Sequence, residues 1–222
     1  MPDRLLVVGA GGFGRETIDV ADAMTDVAGA PRWEVVGVAD DSPSELNLAR
    51  LATRGITYLG TLDKALASVK GAQYVIGIGS PSVRRGIAGR LDSAGWSAAT
   101  LVHPAATLGS EVDLGPGTVV CAGARLTTNI RLGRHVHVNP NATVGHDTTL
   151  GDFVSLNPSA SISGDCVIES DALVGVQGVV LNRLRVRAGA LVGAAACVTT
   201  DVAAATTVVG VPARPLTQGK RE

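Results

Sequence analysis

Aromatic side chains are nearly missing from this chain: Phe, Tyr and Trp together make up 3% of its 222 residues. A core without them must be filled by Val, Leu, Ile and Ala, which suits a closely repeated backbone better than a mixed interior. Runs of Lys and Arg are also absent and the formal net charge is -1. The chain therefore carries no electrostatic footprint for nucleic acid or an anionic membrane, and neither is expected as a partner. No apolar run approaches transmembrane length, and MPDRLLVVGAGG breaks into glycine too early for a signal peptide, so a cytoplasmic location is expected. Cys121, Cys166 and Cys197 are odd in number and lack CxxC spacing. That argues against a disulfide framework or a cysteine zinc site, and free, buried thiols are expected. A small-molecule substrate is what these absences leave.

Glycine is what the chain has in quantity, 28 residues against a hydrophobic content of 45%. Two rhythms divide it. From Leu5 to about Val102, apolar runs (LLVV, WEVVGVADD, ITYLG, YVIGIGS, SAATLV) alternate with helix-like stretches (RETIDVADAM, LDKALASV, VRRGIAGRLDSAG). Strands separated by helices of this size predict a small Rossmann-like α/β domain with a parallel sheet over residues 1–100. Beyond it an aliphatic residue recurs every six positions, from Val102, Leu108 and Leu114 through Val144, Leu150 and Leu156 to Val192 and Val198, seventeen times without an exception. Small or β-branched residues such as Ala106, Thr118, Ala124, Ala142 and Ala160 follow four positions later. This hexapeptide repeat predicts an all-β parallel β-helix over residues 101–205, with three hexads to a triangular coil and just under six coils. Repeats of this class coil left-handed, against the usual right-handed crossover. Residues 206–222 lose the period and read as a C-terminal cap and tail, with Pro212 and Pro215 stopping regular pairing.

Candidate chemistry lies in both halves. V-V-G-A-G-G-F-G-R (Val7–Arg15) places Gly9, Gly11 and Gly14 in G-x-G-x-x-G spacing between a strand and a helix, where backbone amides can approach a phosphate at a helix N-terminus. Asp40 and Asp41 end the second strand, where a carboxylate can accept from a ribose or base. A sheet of half the usual size fits a mononucleotide or nucleotide sugar better than a nicotinamide dinucleotide, which argues against a dehydrogenase.

Four histidines occur. His103 before Pro104 reads as a junction residue. His135 and His137 flank inward-facing Val136 and are expected to project outward, to the surface or a subunit contact. Some β-helix proteins share zinc among three imidazoles, but the spacing to His146 matches no hydrolytic zinc site, so no metal is expected. His146 stands third in its hexad, near a corner, beside Asp147. An imidazole titrates near neutral pH and an adjacent carboxylate stabilises its protonated form, as a general base requires. One 18-residue coil further on, the same corner position is Gly164. A glycine leaves its backbone N–H unobstructed, so that it can bind a thioester oxygen as charge develops there.

Four motifs, G-A-G-G-F-G-R-E at the start, G-I-G-S-P-S-V-R-R (77–85), V-G-H-D-T-T-L-G-D-F (144–153) and V-G-V-P-A-R (209–214), resemble the sialic acid O-acetyltransferase and bacillosamine-type sugar N-acetyltransferase family across nearly the whole chain. The resemblance implies a homotrimer with active sites between neighbouring β-helices and acetyl-CoA as co-substrate. It implies that His146 is the base that deprotonates the sugar amine or hydroxyl, with Asp147 increasing its basicity, and that Asn139 lies near the acceptor amine. Gly164 matches a glycine whose amide meets the thioester carbonyl, and Val176 and Ala194 match positions lining the coenzyme. Gly11, Gly12, Phe13, Asp40, Asp41, Gly79 and Ser82 match positions holding the nucleotide of the sugar substrate, and nearby Arg84 is expected as a phosphate partner. Ser155 stands where relatives have a second histidine touching acetyl-CoA, Ala194 replaces a glycine and Phe13 a histidine. The leading expectation is N-acetylation of a nucleotide-linked deoxyamino sugar. O-acetylation with the same machinery and a non-catalytic nucleotide-binding trimer are the alternatives.

Overall fold

The computed structural model describes residues 1–216, so the last six positions of the expected tail lie outside the described residues. Strand β1 (Asp3–Val8) pairs in parallel with β2 (Trp33–Ala39) on one side and β3 (Gln73–Ile76) on the other. Helices α1 (Gly12–Ala23), α2 (Glu45–Thr53), α3 (Leu62–Ser68) and α4 (Pro81–Ser93) connect and follow the strands. ITYLG and SAATLV, expected as full strands of this sheet, give it only single parallel bridges at its two edges, Tyr58 to Val38 and Ala98 to Tyr74, and the last two residues of SAATLV, Leu101 and Val102, pair in the next unit instead. The sheet is therefore narrower than the apolar runs suggest. No helix among the described residues is long and apolar enough to cross a membrane.

From Leu101 the chain winds through seventeen short strands, β4 (Leu101–Val102) to β20 (Cys197–Val198), as a left-handed parallel β-helix of about six coils. Each repeat aliphatic is the last residue of its strand and points inward, and successive coils pair one 18-residue step apart, as Val144 with Leu126 and Ile162. Position five of each hexad also points inward, so Ala124, Val136, Ala142, Val154, Ala160, Cys166 and Ala172 share the core with Val138, Val144, Leu150 and Leu156. Fully burying one such aliphatic contributes roughly 1.5–3 kcal/mol. In the hexads that start at Leu108 through Val192 the fourth residue turns the corner with positive φ, including Asn129 (54°), Asp147 (59°) and Asp165 (59°). The final coil is shorter, pairing Leu191 with Thr207, after which β21 (Thr207–Val209) and β22 (Arg214–Pro215) form an antiparallel cap with Pro215 in the edge strand.

The prism has three faces. The first carries Val102, Val120, Val138 and Leu156, the second Leu108, Leu126, Val144 and Ile162, and the third Leu114, Leu132, Leu150 and Ile168. The α/β domain lies on the first face, whose outward residues Leu101, Val119, His137 and Ser155 recur coil by coil and are all buried. On the second face the corresponding residues, Thr107, Arg125, Thr143 and Ser161, are exposed or half-buried. This corrects the expectation for His135 and His137. Both do project away from the prism axis, but they meet the α/β domain and not solvent, and each is at most 1% exposed. Phe13 packs on His137 with ring centroids 4.5 Å apart, while His135 stacks between Tyr74 and Phe153. His103 holds the junction, accepting from Ala105 N–H on Nδ1. Of the three cysteines, Cys121 and Cys166 are buried and Cys197 is half-buried, all as free thiols.

Burial, reinforced by the nearby Arg134 and Arg84 charges, lowers the His135 pKa to about 4, and burial holds that of His137 well below 6.5. Asp92, which accepts from Arg134 and Tyr74, acts in the opposite sense on His135. Between about pH 6.5 and 4 the unfolded chain binds protons that the folded chain excludes, so stability is lost as pH falls through that window. Thermal melts should be level above pH 7 and drop steadily from about pH 6.5 towards 4. A His137→Leu variant should show a shallower drop; an equal slope would locate the proton uptake elsewhere.

Candidate active site

Two regions carry the functional candidates. In the α/β domain the first turns of α1 and α4 meet at the carboxyl edge of the sheet, where this fold class binds ligands. Gly11 and Gly12 open α1 with no side-chain cap, and a Cβ on either would meet open space. Gly14 answers a different need: a Cβ there would overlap the Gly9 carbonyl, so this glycine lets the helix pack on the strand. Helix α4 begins at Pro81 after Ser80, again without a side-chain cap, and exposed Ser82 lies in its first turn. The uncapped amides of the two helices make this edge suited to an anion. Asp40 does not project freely from its strand. Its Oδ2 accepts from Ala10 N–H at 2.8 Å and its Oδ1 from Ser42 N–H at 2.9 Å, so it closes the glycine loop. Asp41 accepts from Leu62 N–H at 2.8 Å and from Arg90 at 3.4 Å. Both carboxylates retain acceptor capacity at the rim. Arg15, which the sequence reading did not single out, donates to Ala10 O and Asn47 Oδ1 and places a cation beside the loop.

Arg84 requires a correction. Expected at a phosphate, it is fully buried between the domains. Its guanidinium donates to the carbonyls of His135 (3.0 Å), Ile78 (2.8 Å), Gly79 (3.2 Å) and Phe153 (2.7 Å) and to Ser155 Oγ (3.0 Å). Burial lowers its pKa to about 9, which still leaves it charged at neutral pH. Five donors in a rigid fork suit this cluster of carbonyls, and none is left for a ligand. Ser155 is corrected with it. Only 1% exposed, it accepts from Arg84 and donates to Gly79 O at 3.2 Å, so its hydroxyl lies against the α/β domain and is spent on these two partners. Together they tie the loop bearing Gly79 to the β-helix. Phe13 likewise spends its ring on His137.

The second region is the corner between the second and third faces. His146 and Asp147 are exposed there, with Nδ1 2.6 Å from Asp147 Oδ2. The other carboxylate oxygen accepts from Asn129 Nδ2 at 2.6 Å. Hydrogen bonds from Asn129 and then His146 hold the Asp147 carboxyl below its usual range, so it stays ionised. With Nδ1 donating to Asp147, Nε2 is free to accept a proton. One coil above, Gly164 lies directly against the ring: a Cβ on it would lie 2.5 Å from His146 Nε2. Gly164 O accepts from Arg183 N–H at 3.1 Å. Amides at this hexad position face away from the coil ladder and take side-chain oxygens where these are near, as Arg134 N–H does with Asp152 and Ala188 N–H with Glu169. Ligand atoms of His146, Asp147 and Asp165 fall within 4.8 Å of one another.

Val176 and Ala194, both exposed, stack one coil apart on another corner, between the first and second faces. Asn139 sits low on that same edge, 7% exposed, with its amide donating to Leu156 O at 2.9 Å. The chain thus brings Asn139, Val176 and Ala194 to one edge and His146, Asp147 and Gly164 to the next. The glycine loop lies against the first face, on the opposite side of the prism from His146.

Residues 4–91 match the PglD N-terminal domain family. The structure is similar to that of the acetyltransferase domain of PglB from Neisseria gonorrhoeae, with TM-score 0.82, 28% identity, and coverage of 96% of this chain and 99% of that one. It is also similar to PerB from Caulobacter crescentus in complex with CoA and GDP-perosamine, with TM-score 0.84, 26% identity, and coverage of 96% and 97%. A curated relative, a 2,3,4,5-tetrahydropyridine-2,6-dicarboxylate N-acetyltransferase of Staphylococcus aureus, is 48% identical over 52 residues, which are 23% of this chain. The match spans only 22% of that relative's length.

Two outcomes follow from these contacts. Gly164→Ala should displace the His146 ring in a crystal structure while the melting temperature stays within a few degrees, because Gly164 needs only the space. An undisturbed imidazole would contradict the close approach. Arg84→Met strands several buried carbonyls and should cost on the order of 3 kcal/mol in a denaturant melt; a change near zero would mean that they find other donors.

Proposed function

We propose that this chain, which belongs to the hexapeptide-repeat acetyltransferase family, is an acetyl-CoA-dependent N-acetyltransferase acting on the amino group of a nucleotide-linked deoxyamino sugar. The observation that carries this reading is the His146 imidazole, fixed at Nδ1 by Asp147 and presenting Nε2 directly to Gly164. The structures of PerB with CoA and GDP-perosamine and of the PglB domain with acetyl coenzyme A support the substrate classes. They also favour an amine over a hydroxyl as acceptor, since the former protein is described as a perosamine N-acetyltransferase.

His146 Nε2 takes a proton from the sugar amine as its nitrogen attacks the thioester carbonyl. Gly164 N–H donates to the carbonyl oxygen as negative charge develops on it. Asp147 stays ionised and stabilises the imidazolium that forms. When the tetrahedral adduct collapses, the carbon–sulfur bond breaks, the amide remains on the sugar, and His146 returns the proton to the departing CoA thiolate. Val176 and Ala194 line the coenzyme groove, and the uncapped starts of α1 and α4 hold the nucleotide phosphates, with Asp40, Asp41, Gly79 and Ser82 around them.

The division of these groups between separate edges supports a homotrimer. A sugar held by the glycine loop meets its own chain's Asn139 edge but is turned away from its own His146, so the base comes from a neighbouring copy.

Turnover of a nucleotide-linked 4-amino sugar, followed by free-thiol release from acetyl-CoA, should fall about 10²–10⁴-fold in His146→Ala with the oligomer intact. Near-normal turnover would refute the base assignment. The product should survive mild alkali, which removes an O-acetyl ester but leaves an amide. Oligomers mixed from inactive His146→Ala chains and inactive chains altered in the glycine loop should regain part of the activity. No recovery would argue for a site within one chain.

A further inference from the structure

The His146–Asp147 pair continues one coil further down. We infer that Asn129 is a positioning residue of the same site, its carboxamide orienting the Asp147 carboxylate so that His146 is held with its proton on Nδ1 and Nε2 open. The inference rests on the acetyl-transfer reading for its catalytic consequence and on geometry alone for the orientation.

Asn129 and Asp147 occupy the same hexad position in successive coils, and both turn the corner with positive φ, 54° and 59°. Stacking of the coils brings the two side chains together. Asn129 Nδ2 donates to Asp147 Oδ1 and His146 Nδ1 lies against Asp147 Oδ2, each at 2.6 Å, so the two oxygens are divided between two donors. Without the amide the carboxylate has reason to turn. It is exposed, and one coil above it lies Asp165, close enough that the two acids and His146 share a 4.8 Å neighbourhood. Arg183, the next residue in this column, is 3.8 Å from Asp165 and does not reach Asp147. Below, Thr128 Oγ1 is engaged with Ser110, leaving Asn129 as the donor that balances the repulsion from above.

The residue type suits the task. Asn tolerates the left-handed corner because its short polar side chain bonds locally, and its N–H supplies a donor without adding charge. An acid here would put carboxylates at four successive levels of the column, from Glu111 through Asp165. Partners that orient metal-ligating side chains in this way typically contribute about 10–100-fold to affinity or activity, and an effect of that order is expected of Asn129.

Two substitutions test the idea in the intact oligomer. Asn129→Gly keeps the left-handed corner and removes the carboxamide; Asn129→Asp keeps its shape and removes the donor. With histidine labelled in ¹⁵N at both ring nitrogens, wild-type His146 at pH 8 should show protonated Nδ1 and unprotonated Nε2. Both variants should show a mixture of tautomers. With a nucleotide-linked amino sugar and acetyl-CoA, their kcat should fall about 10–100-fold while KM stays within about twofold. An unchanged tautomer in both variants would overturn the positioning role whatever happens to kcat, and so would a changed tautomer with unchanged kcat. If the wild-type protein acetylates no nucleotide-linked amino sugar, the proposed function fails. The tautomer measurement then still decides whether Asn129 orients the pair.

Discussion

The backbone ladder between coils is the constraint from which the other features of this molecule follow. Each coil hydrogen-bonds to the next with equivalent hexad positions in register, as in Val144 with Leu126 and Ile162. From Glu111 to Ala195 each corner is turned by one residue in the left-handed region. A non-glycine residue costs roughly 1–2 kcal/mol there, so the corners persist because the ladder and the inward aliphatics offset them repeatedly. The same register stacks side chains that are distant in sequence. Asn129, Asp147 and Asp165 form one column, with His146 and Gly164 beside it, and a polar arrangement is built without any loop leaving the prism.

A second constraint acts across the domains. The outward residues of the first face, Leu101, Val119, His137 and Ser155, are buried beneath the α/β domain while their counterparts on the other faces meet solvent. Arg84 is central to that contact. A buried guanidinium costs desolvation unless every donor is paired. Here the His135 and Phe153 carbonyls of the β-helix and the Ile78 and Gly79 carbonyls of the glycine-bearing loop supply the partners. The loop is thereby held in one place relative to the coils. Arg85, paired with Asp171 and lying over Phe153, extends the contact towards solvent.

Much of this was legible from periodicity. The six-residue recurrence fixes which side chains face inward, and the coil step from His146 to Gly164 follows by counting. The same counting from Asp147 leads back to Asn129, an amide that a search confined to titratable residues passes over. Arg84, Ser155 and His137 were beyond reach for a physical reason: their roles depend on which face the α/β domain covers. Outward-facing polar residues on the three faces look alike in sequence. The edge strands ITYLG and SAATLV were overestimated because apolar content reports packing and not pairing: each gives the α/β sheet one bridge, Tyr58 stays exposed at one edge, and Leu101 and Val102 pair within the β-helix.

By itself the sequence determined the β-helix, its phase, and the corner on which His146, Asp147 and Gly164 meet, because a period of six with an inward aliphatic leaves one way to stack the coils. Only the tertiary structure decided what the first face buries, that Arg84 ties the domains together where a phosphate contact was expected, and that the glycine loop lies across the prism from its own chain's His146. Those outcomes depend on how two independently patterned units dock, and docking is set by shape and hydrogen-bond complementarity between surfaces that share no period.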